Sequence, residues 1–145
     1  MPRIFVLIDD DIDDKELFRE ALTAVDPDIL FLSAGDGEEA LQKLERGDFH
    51  DPTVFFIDIN LPEMSGWEVL TKIKRFEKYH QIPVLMYSTS SHERDKKIAE
   101  DLGAACLITK PDEYKNLKKI LALVIWNLDT YNNIADLAKQ LPSFQ

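Results

Sequence analysis

At 145 residues, 45% of them hydrophobic and 30% charged, the chain has the size and balance of one soluble globular domain. Its net charge of −10 argues against nucleic-acid binding through phosphate contacts, which needs clustered lysine and arginine. The single cysteine excludes an internal disulfide, and no apolar stretch approaches the ~20 residues of a membrane span, so a cytoplasmic protein without a signal segment is expected.

Met1-Pro2-Arg3 leads into a first apolar run, residues 4–8, which ends on Asp9-Asp10-Asp11. A helical pattern follows, with Leu17, Phe18, Ala21, Leu22 and Val25 on one face; Asp11 or Asp13 is expected to cap it. Residues 29–32 form a second run. Asp36 then stands three residues before Glu39, a helix-start signature, and Ala40, Leu41 and Leu44 share the next face. The third run, 54–57, ends on Asp58. Pro62 and Gly66 read as turn residues, and Ser65 stands three before Glu68, ahead of Trp67, Leu70 and Ile73. The fourth run, 84–87, ends on Ser88-Thr89. Ser90 stands three before Glu93, ahead of Ile98, Ala99 and Leu102, and Gly103 sits where that helix should stop. The fifth run, 106–108, holds Cys106 as a small hydrophobe and ends on Lys110-Pro111. Leu117, Ile120, Leu121, Val124, Ile125 and Leu128 then give the cleanest helical repeat.

The five runs are continuous rather than alternating, as strands buried on both faces of a parallel sheet require. Strand and helix alternate five times, which predicts an α/β domain with a parallel sheet and right-handed crossovers. Residues 3–126 make up this domain, and 127–145 are an extension. Ile134, Leu137, Ala138 and Leu141 recur at helical spacing there, so 132–140 is expected to be a short amphipathic helix after a break over 129–133. It is too short to stand alone and must pack on its own domain or a partner.

In an open parallel sheet, ligands bind at the carboxyl ends of the strands near the point where strand order reverses. Asp9, Asp10, Asp11, Asp58, Ser88 and Lys110 all fall at such ends. Neighbouring carboxylates repel unless a cation intervenes, and oxygen-only ligands suit Mg²⁺ before Zn²⁺. A lysine beside the metal suits a phosphoryl group, and a carboxylate can itself be the nucleophile. The residues therefore point to Mg²⁺-assisted phosphoryl transfer to an aspartate.

The stretches Leu7-Ile8-Asp9-Asp10-Asp11, Ile57-Asp58-Ile59-Asn60-Leu61-Pro62-Glu63-Met64-Ser65-Gly66, Pro83-Val84-Leu85-Met86-Tyr87-Ser88 and Ile108-Thr109-Lys110-Pro111 together resemble the receiver domain of two-component response regulators. The resemblance covers residues 3 to about 126. It implies a flavodoxin-like (βα)5 fold with strand order 2-1-3-4-5. It implies that Asp58 attacks the phosphorus of a phosphohistidine on a sensor histidine kinase or phosphotransfer protein. Mg²⁺ would be ligated by Asp10, Asp58 and the backbone carbonyl of Asn60, with Asp9 acting through bound water. Lys110 would pair with Asp58 and then with a phosphoryl oxygen, Ser88 would bond another, and the Lys110–Pro111 bond would be cis. Such a protein is a signalling element that catalyses only its own phosphorylation and dephosphorylation.

Blander readings stand beside these. Acidic residues at a helix N-terminus favour its dipole, which is the preferred account of Asp11 and Asp13. Only position distinguishes Lys110 from a surface lysine. His50, His80 and His92 read as surface residues, and Trp67 and Trp126 as packing on the sheet or its edge. Arg94/Lys96/Lys97 and Lys118/Lys119 read as solvated helix faces. Among other functions, haloacid-dehalogenase-like phosphatases need a second Asp two residues after the nucleophile, where Asn60 stands. A flavin carrier needs a Ser/Thr/Gly-rich phosphate loop after the first strand, where three carboxylates would repel the phosphate. A degenerate receiver that works unphosphorylated is disfavoured by the full acidic set and Lys110.

Two positions depart from the family. Thr89 replaces a very small residue, which narrows access for small donors. Leu107 replaces the aromatic ring many receivers rotate, so the switching signal is expected in the loop 89–93 and the fourth helix. Residues 127–145 are too few for a helix-turn-helix output module. Output is therefore expected by binding a protein target, or through a homodimer, over a face from about 91 to 127 made by the fourth helix, fifth strand and fifth helix. No nucleic acid or membrane is expected as a partner.

Overall fold

The computed structural model describes residues 2–130, 134 and 137–141. Five strands, β1 (Ile4–Ile8), β2 (Leu30–Ala34), β3 (Val54–Ile57), β4 (Val84–Ser88) and β5 (Cys106–Thr109), form one sheet in the order β2-β1-β3-β4-β5. Every neighbouring pair is parallel. The connecting helices are α1 (Ile12–Val25), α2 (Gly37–Arg46), α3 (Gly66–Ile73) and α4 (Glu93–Asp101); α5 (Tyr114–Thr130) and α6 (Leu137–Gln140) follow β5. This is the flavodoxin-like order expected from the family resemblance.

Continuous apolar strands are explained by two cores. Val6, Ile8, Phe55, Ile57, Val84, Met86 and Leu107 pack with Ala40 and Leu44 of α2, Val69, Leu70 and Ile73 of α3, and Ala99 of α4. Side chains one residue out of phase, Phe5, Leu7, Val54, Phe56, Leu85, Tyr87, Cys106 and Ile108, pack with α1 and α5. Phe18 of α1 sits edge-on to Phe56 and to Tyr87, with centroids 4.9 and 5.6 Å away. Not every expected helix position is inward: Leu17 and Leu102 are exposed.

Three helix starts follow their signatures. Asp11, rather than Asp13, accepts from the Asp14 N–H, Asp36 from the Glu39 N–H, and Ser65 from the Glu68 N–H. The fourth differs. His92 is the N-cap of α4 and gives no side-chain cap bond. Ser90 turns its hydroxyl instead to the His92 N–H and to Asp95, a local alternative open to any serine two residues before a free N–H. Gly103 adopts φ +95° just past α4, where its N–H bonds the Glu100 carbonyl.

Three further expectations are corrected. The second strand lies later than the apolar run 29–32, because pairing with β1 continues through Leu7↔Ser33 and Ile8↔Ala34. The Lys110–Pro111 bond is trans, as are all peptide bonds of the described residues; the preference at X-Pro is only about 0.5–1 kcal/mol, so the motif alone does not set the isomer. Trp126 is 61% exposed on α5, whereas Trp67 packs against the core. The helical repeat of α5 turns its apolar face inward at Leu121, Val124 and Leu128, which puts position 126 outside.

Helix α5 runs across the expected boundary at 126, with Asn127 and Leu128 buried and Asp129 paired with Arg3. Within the expected tail helix, α6 lies against α5 and β5. Leu137 is fully buried there, and Asn127 and Gln140 exchange amide hydrogen bonds of 3.1 Å. The rest of the expected 132–140 helix, and the break over 129–133, fall partly on residues outside the described set. Among the described residues, no helix is long and apolar enough to cross a membrane.

Candidate functional site

Register places the site. Ile8 pairs with Ile57, and the Asp58 N–H bonds the Ile8 carbonyl at 2.9 Å, so Asp9 and Asp58 leave adjacent strands side by side. Ser88 pairs with Thr109, and the Lys110 N–H bonds the Ser88 carbonyl at 2.7 Å. The order reverses between β1 and β3, the point where open α/β sheets bind ligands.

Carboxylate oxygens of Asp9, Asp10 and Asp58 lie within 4.8 Å of one another. Asp9 is wholly buried and Asp58 nearly so, whereas Asp10 faces solvent. Asp9 Oδ1 accepts from the Asp11 N–H at 2.9 Å, and Asp58 Oδ1 accepts from the Asn60 N–H at 3.0 Å. Burial pushes the Asp9 carboxyl up to about 6, against the opposing pull of the Lys110 and Asp11 hydrogen bonds. Two carboxylates so placed, beside an exposed third, suit a hard divalent cation: all donors are oxygens, and none is His or Cys.

Lys110 is no surface lysine. Its side chain is 9% exposed, and its ammonium donates to Asp9 Oδ2 at 2.8 Å, Asp14 Oδ2 at 2.8 Å and Asp58 Oδ2 at 3.0 Å. It also sits 5.3 Å from the Tyr87 ring centroid. Burial would lower the ammonium, but the bonds from Asp14 and Asp9 outweigh it and hold Lys110 above its ordinary value. Ser88 is fully buried at the end of β4; its hydroxyl accepts weakly from the Ser90 N–H at 3.4 Å. Asp10, Asp58, Asn60, Thr89 and Lys110 line an open crevice of about 500 Å³.

All the residues expected at the site thus meet at one sheet end. His50, His80 and His92 are exposed, as expected. Three contributors escaped the sequence reading. Asp14 lies three residues past the cap Asp11, on the first turn facing the crevice. Tyr87, in the fourth apolar run, places its ring beneath Lys110. Gly66 is more than a turn residue: a Cβ there would stand 2.0 Å from the Asp58 carbonyl oxygen. Its N–H bonds the Ile59 carbonyl at 2.8 Å, so the start of α3 rests directly on the backbone of the central aspartate.

Comparison with known proteins agrees. A family model described as the response regulator receiver domain matches residues 5–122. Response regulator Rcp1 of Synechocystis is 31% identical over 126 residues, covering 83% of this chain and 84% of Rcp1. Among solved structures, the Mn²⁺-bound form of response regulator Rcp1 matches with a TM-score of 0.76 at 30% identity, over 89% of this chain and 96% of that one. The phosphorylated cyanobacterial phytochrome response regulator RcpA matches with a TM-score of 0.78 at 30% identity, over 91% and 96%. The chain is a signalling protein that belongs to the response regulator receiver domain family.

Proposed function

We propose that this receiver takes a phosphoryl group onto Asp58 from a histidine kinase or phosphotransfer protein, in a Mg²⁺-dependent reaction, and signals by protein–protein contact. The carrying observation is the convergence of Asp9, Asp10 and Asp58 within 4.8 Å, with Lys110 bonded to two of them. The same set fits the metal: Asp10 and Asp58 would hold it directly, with the Asn60 carbonyl. Asp9, wholly buried beneath them, would act through bound water. Bound Mg²⁺ supplies charge neutralisation for the carboxylates and the phosphoryl oxygens. That Rcp1 has been solved with Mn²⁺ and RcpA phosphorylated supports carrying both properties to this chain.

The chain's own residues do the rest. The Asn60 N–H fixes Asp58 Oδ1, which leaves the carboxylate oriented toward the crevice. Lys110, already charged and seated, follows the negative charge as it passes from the Asp58 carboxylate to the phosphoryl group. Ser88 offers a hydroxyl from the next strand end. The acceptor assignment is checked with Asp58→Asn, a change of nearly equal shape. Wild type with Mg²⁺ and a phosphorylated kinase should gain a phosphate labile to base and hydroxylamine, the variant should gain none, and wild type without Mg²⁺ should gain it far more slowly. Uptake by Asp58→Asn at the wild-type rate would refute the assignment.

A further inference from the structure

Lys110 has three N–H donors and three carboxylate acceptors, at 2.8, 2.8 and 3.0 Å. Two of those acceptors, Asp9 and Asp58, belong to the site just described. The third, Asp14, comes from the first turn of α1. Its place is set by the cap: Asp11 accepts the Asp14 N–H at 2.9 Å, which fixes that turn and lets the Asp14 side chain reach back over the crevice.

We propose that Asp14 is a positioning residue for the phosphoryl-acceptor reaction, holding part of the Lys110 charge that would otherwise serve the incoming phosphoryl oxygens. The inference rests on the function proposed above. It follows from what each acceptor can do when an anion arrives. Asp9 is wholly buried, and its other oxygen is taken by the Asp11 N–H; losing Lys110 would strand a buried charge. Asp58 becomes an acyl phosphate, so the bond it received from Lys110 passes to the phosphoryl group. Asp14 takes no part in the new bond. Its side chain is 34% exposed, so water can replace Lys110 as its partner. While bonded, it draws the ammonium toward α1 and sets a carboxylate beside the arriving phosphoryl. Both effects weaken the hold on any anionic donor or phosphoryl mimic. Asp14 thus acts through Lys110 and touches no reacting atom.

The test is titration of the full chain with beryllofluoride, a phosphoryl mimic, in saturating Mg²⁺, alongside kinetics with acetyl phosphate as donor. Asp14→Asn removes the charge and keeps the shape. Asp13→Asn removes a neighbouring charge that makes no bond to Lys110. We expect Asp14→Asn to bind beryllofluoride about three- to tenfold more tightly and to lower KM for acetyl phosphate while kcat changes little. Asp13→Asn should stay within about twofold of wild type. Equal or weaker binding by Asp14→Asn overturns the proposal. So does an equal gain in Asp13→Asn, which would mark a general charge effect rather than a hold on Lys110. Should Asp14→Asn fail to fold, Asp14→Ser is read in the same titration against the same limits. Wild type that binds no beryllofluoride in Mg²⁺ refutes the proposed function itself, and this inference with it; wild type that binds while Asp14→Asn is unchanged refutes the inference alone.

Discussion

A nearly buried lysine stays charged here because three carboxylates surround it, and the same crowding explains why small changes near Asp58 matter. Gly66 shows this best. Its lack of a side chain lets the first turn of α3 press onto the Asp58 carbonyl, where a Cβ would sit at 2.0 Å from that oxygen and 2.8 Å from the Ile59 Cα. The obstacle is backbone and cannot swing aside. Gly66→Ala must push α3 and the Asp58 loop apart, at a cost at or above the ~1–3 kcal/mol typical of overpacking. Thermal unfolding should show that loss, and Mg²⁺ should raise the melting temperature of the variant less than that of wild type, since the ligand geometry is displaced too. An unchanged Mg²⁺ response would separate Gly66 from the site. Cys106 is a contrast at the same scale: burial pushes its thiol up to about 12, so it behaves as the inert hydrophobe its surroundings suggested.

At the level of single elements, α2 shows how a charge at a helix start ties stability to pH. Asp36 accepts the Glu39 N–H, and Glu39 reaches back to the Gly35 N–H. That backbone hydrogen bond, helped by Lys43, holds the Glu39 carboxyl below its usual range despite some burial. With the folded value depressed, the unfolded chain binds more protons in that window. The contribution is therefore present above the usual carboxylate pKa and lost as pH falls through the lower folded value. Glu39→Gln should cost about 0.5 kcal/mol near neutral pH, small because the side chain is half exposed. The difference from wild type should shrink in acid; chemical denaturation at both pH values measures it, and a constant gap would contradict the account.

This element was readable because a cap and its partner are adjacent in the chain. The first, third, fourth and fifth strand starts, the caps at Asp36 and Ser65 and the stop at Gly103 were readable from equally local signals. What the sequence did not disclose depends on partners far along the chain. The shift of β2 follows from its ladder with β1. The late start of α4 is a local exception, set by Ser90 bonding Asp95 instead of capping the helix. The burial of Tyr79, whose hydroxyl bonds the Leu44 carbonyl at 2.9 Å across 35 residues, has no local signature at all. The site divides the same way. Asp9, Asp10, Asp58, Ser88 and Lys110 each mark a strand end and Asn60 came from the family resemblance, whereas Asp14, Tyr87 and Gly66 join the site through packing between elements.

Over the whole molecule, the two outer strands are treated differently. On one side, β2 is partly open, with Leu30 exposed. On the other, α6 packs against β5 and seats Leu137 in the core shared with α1 and α5, covering an edge that would otherwise invite pairing with another chain. Leu137→Ala should cost about 2–3 kcal/mol, toward the low end for a buried leucine because α6 is peripheral. Denaturant melts report the loss, and light scattering should show increased self-association. A variant as stable and as monodisperse as wild type would leave α6 without a structural role.

The unequal settings of the two tryptophans give the molecule two built-in lamps of different colour. Trp67 follows Gly66 directly and leans on the core, so its emission should be the bluer and should track the backbone that carries Asp58. Trp126 stands well into solvent on α5, so its emission should be the redder and the more readily quenched by iodide. Quenching the second leaves the first as a label-free optical gauge of what happens at the sheet end, with no dye attached and no residue changed.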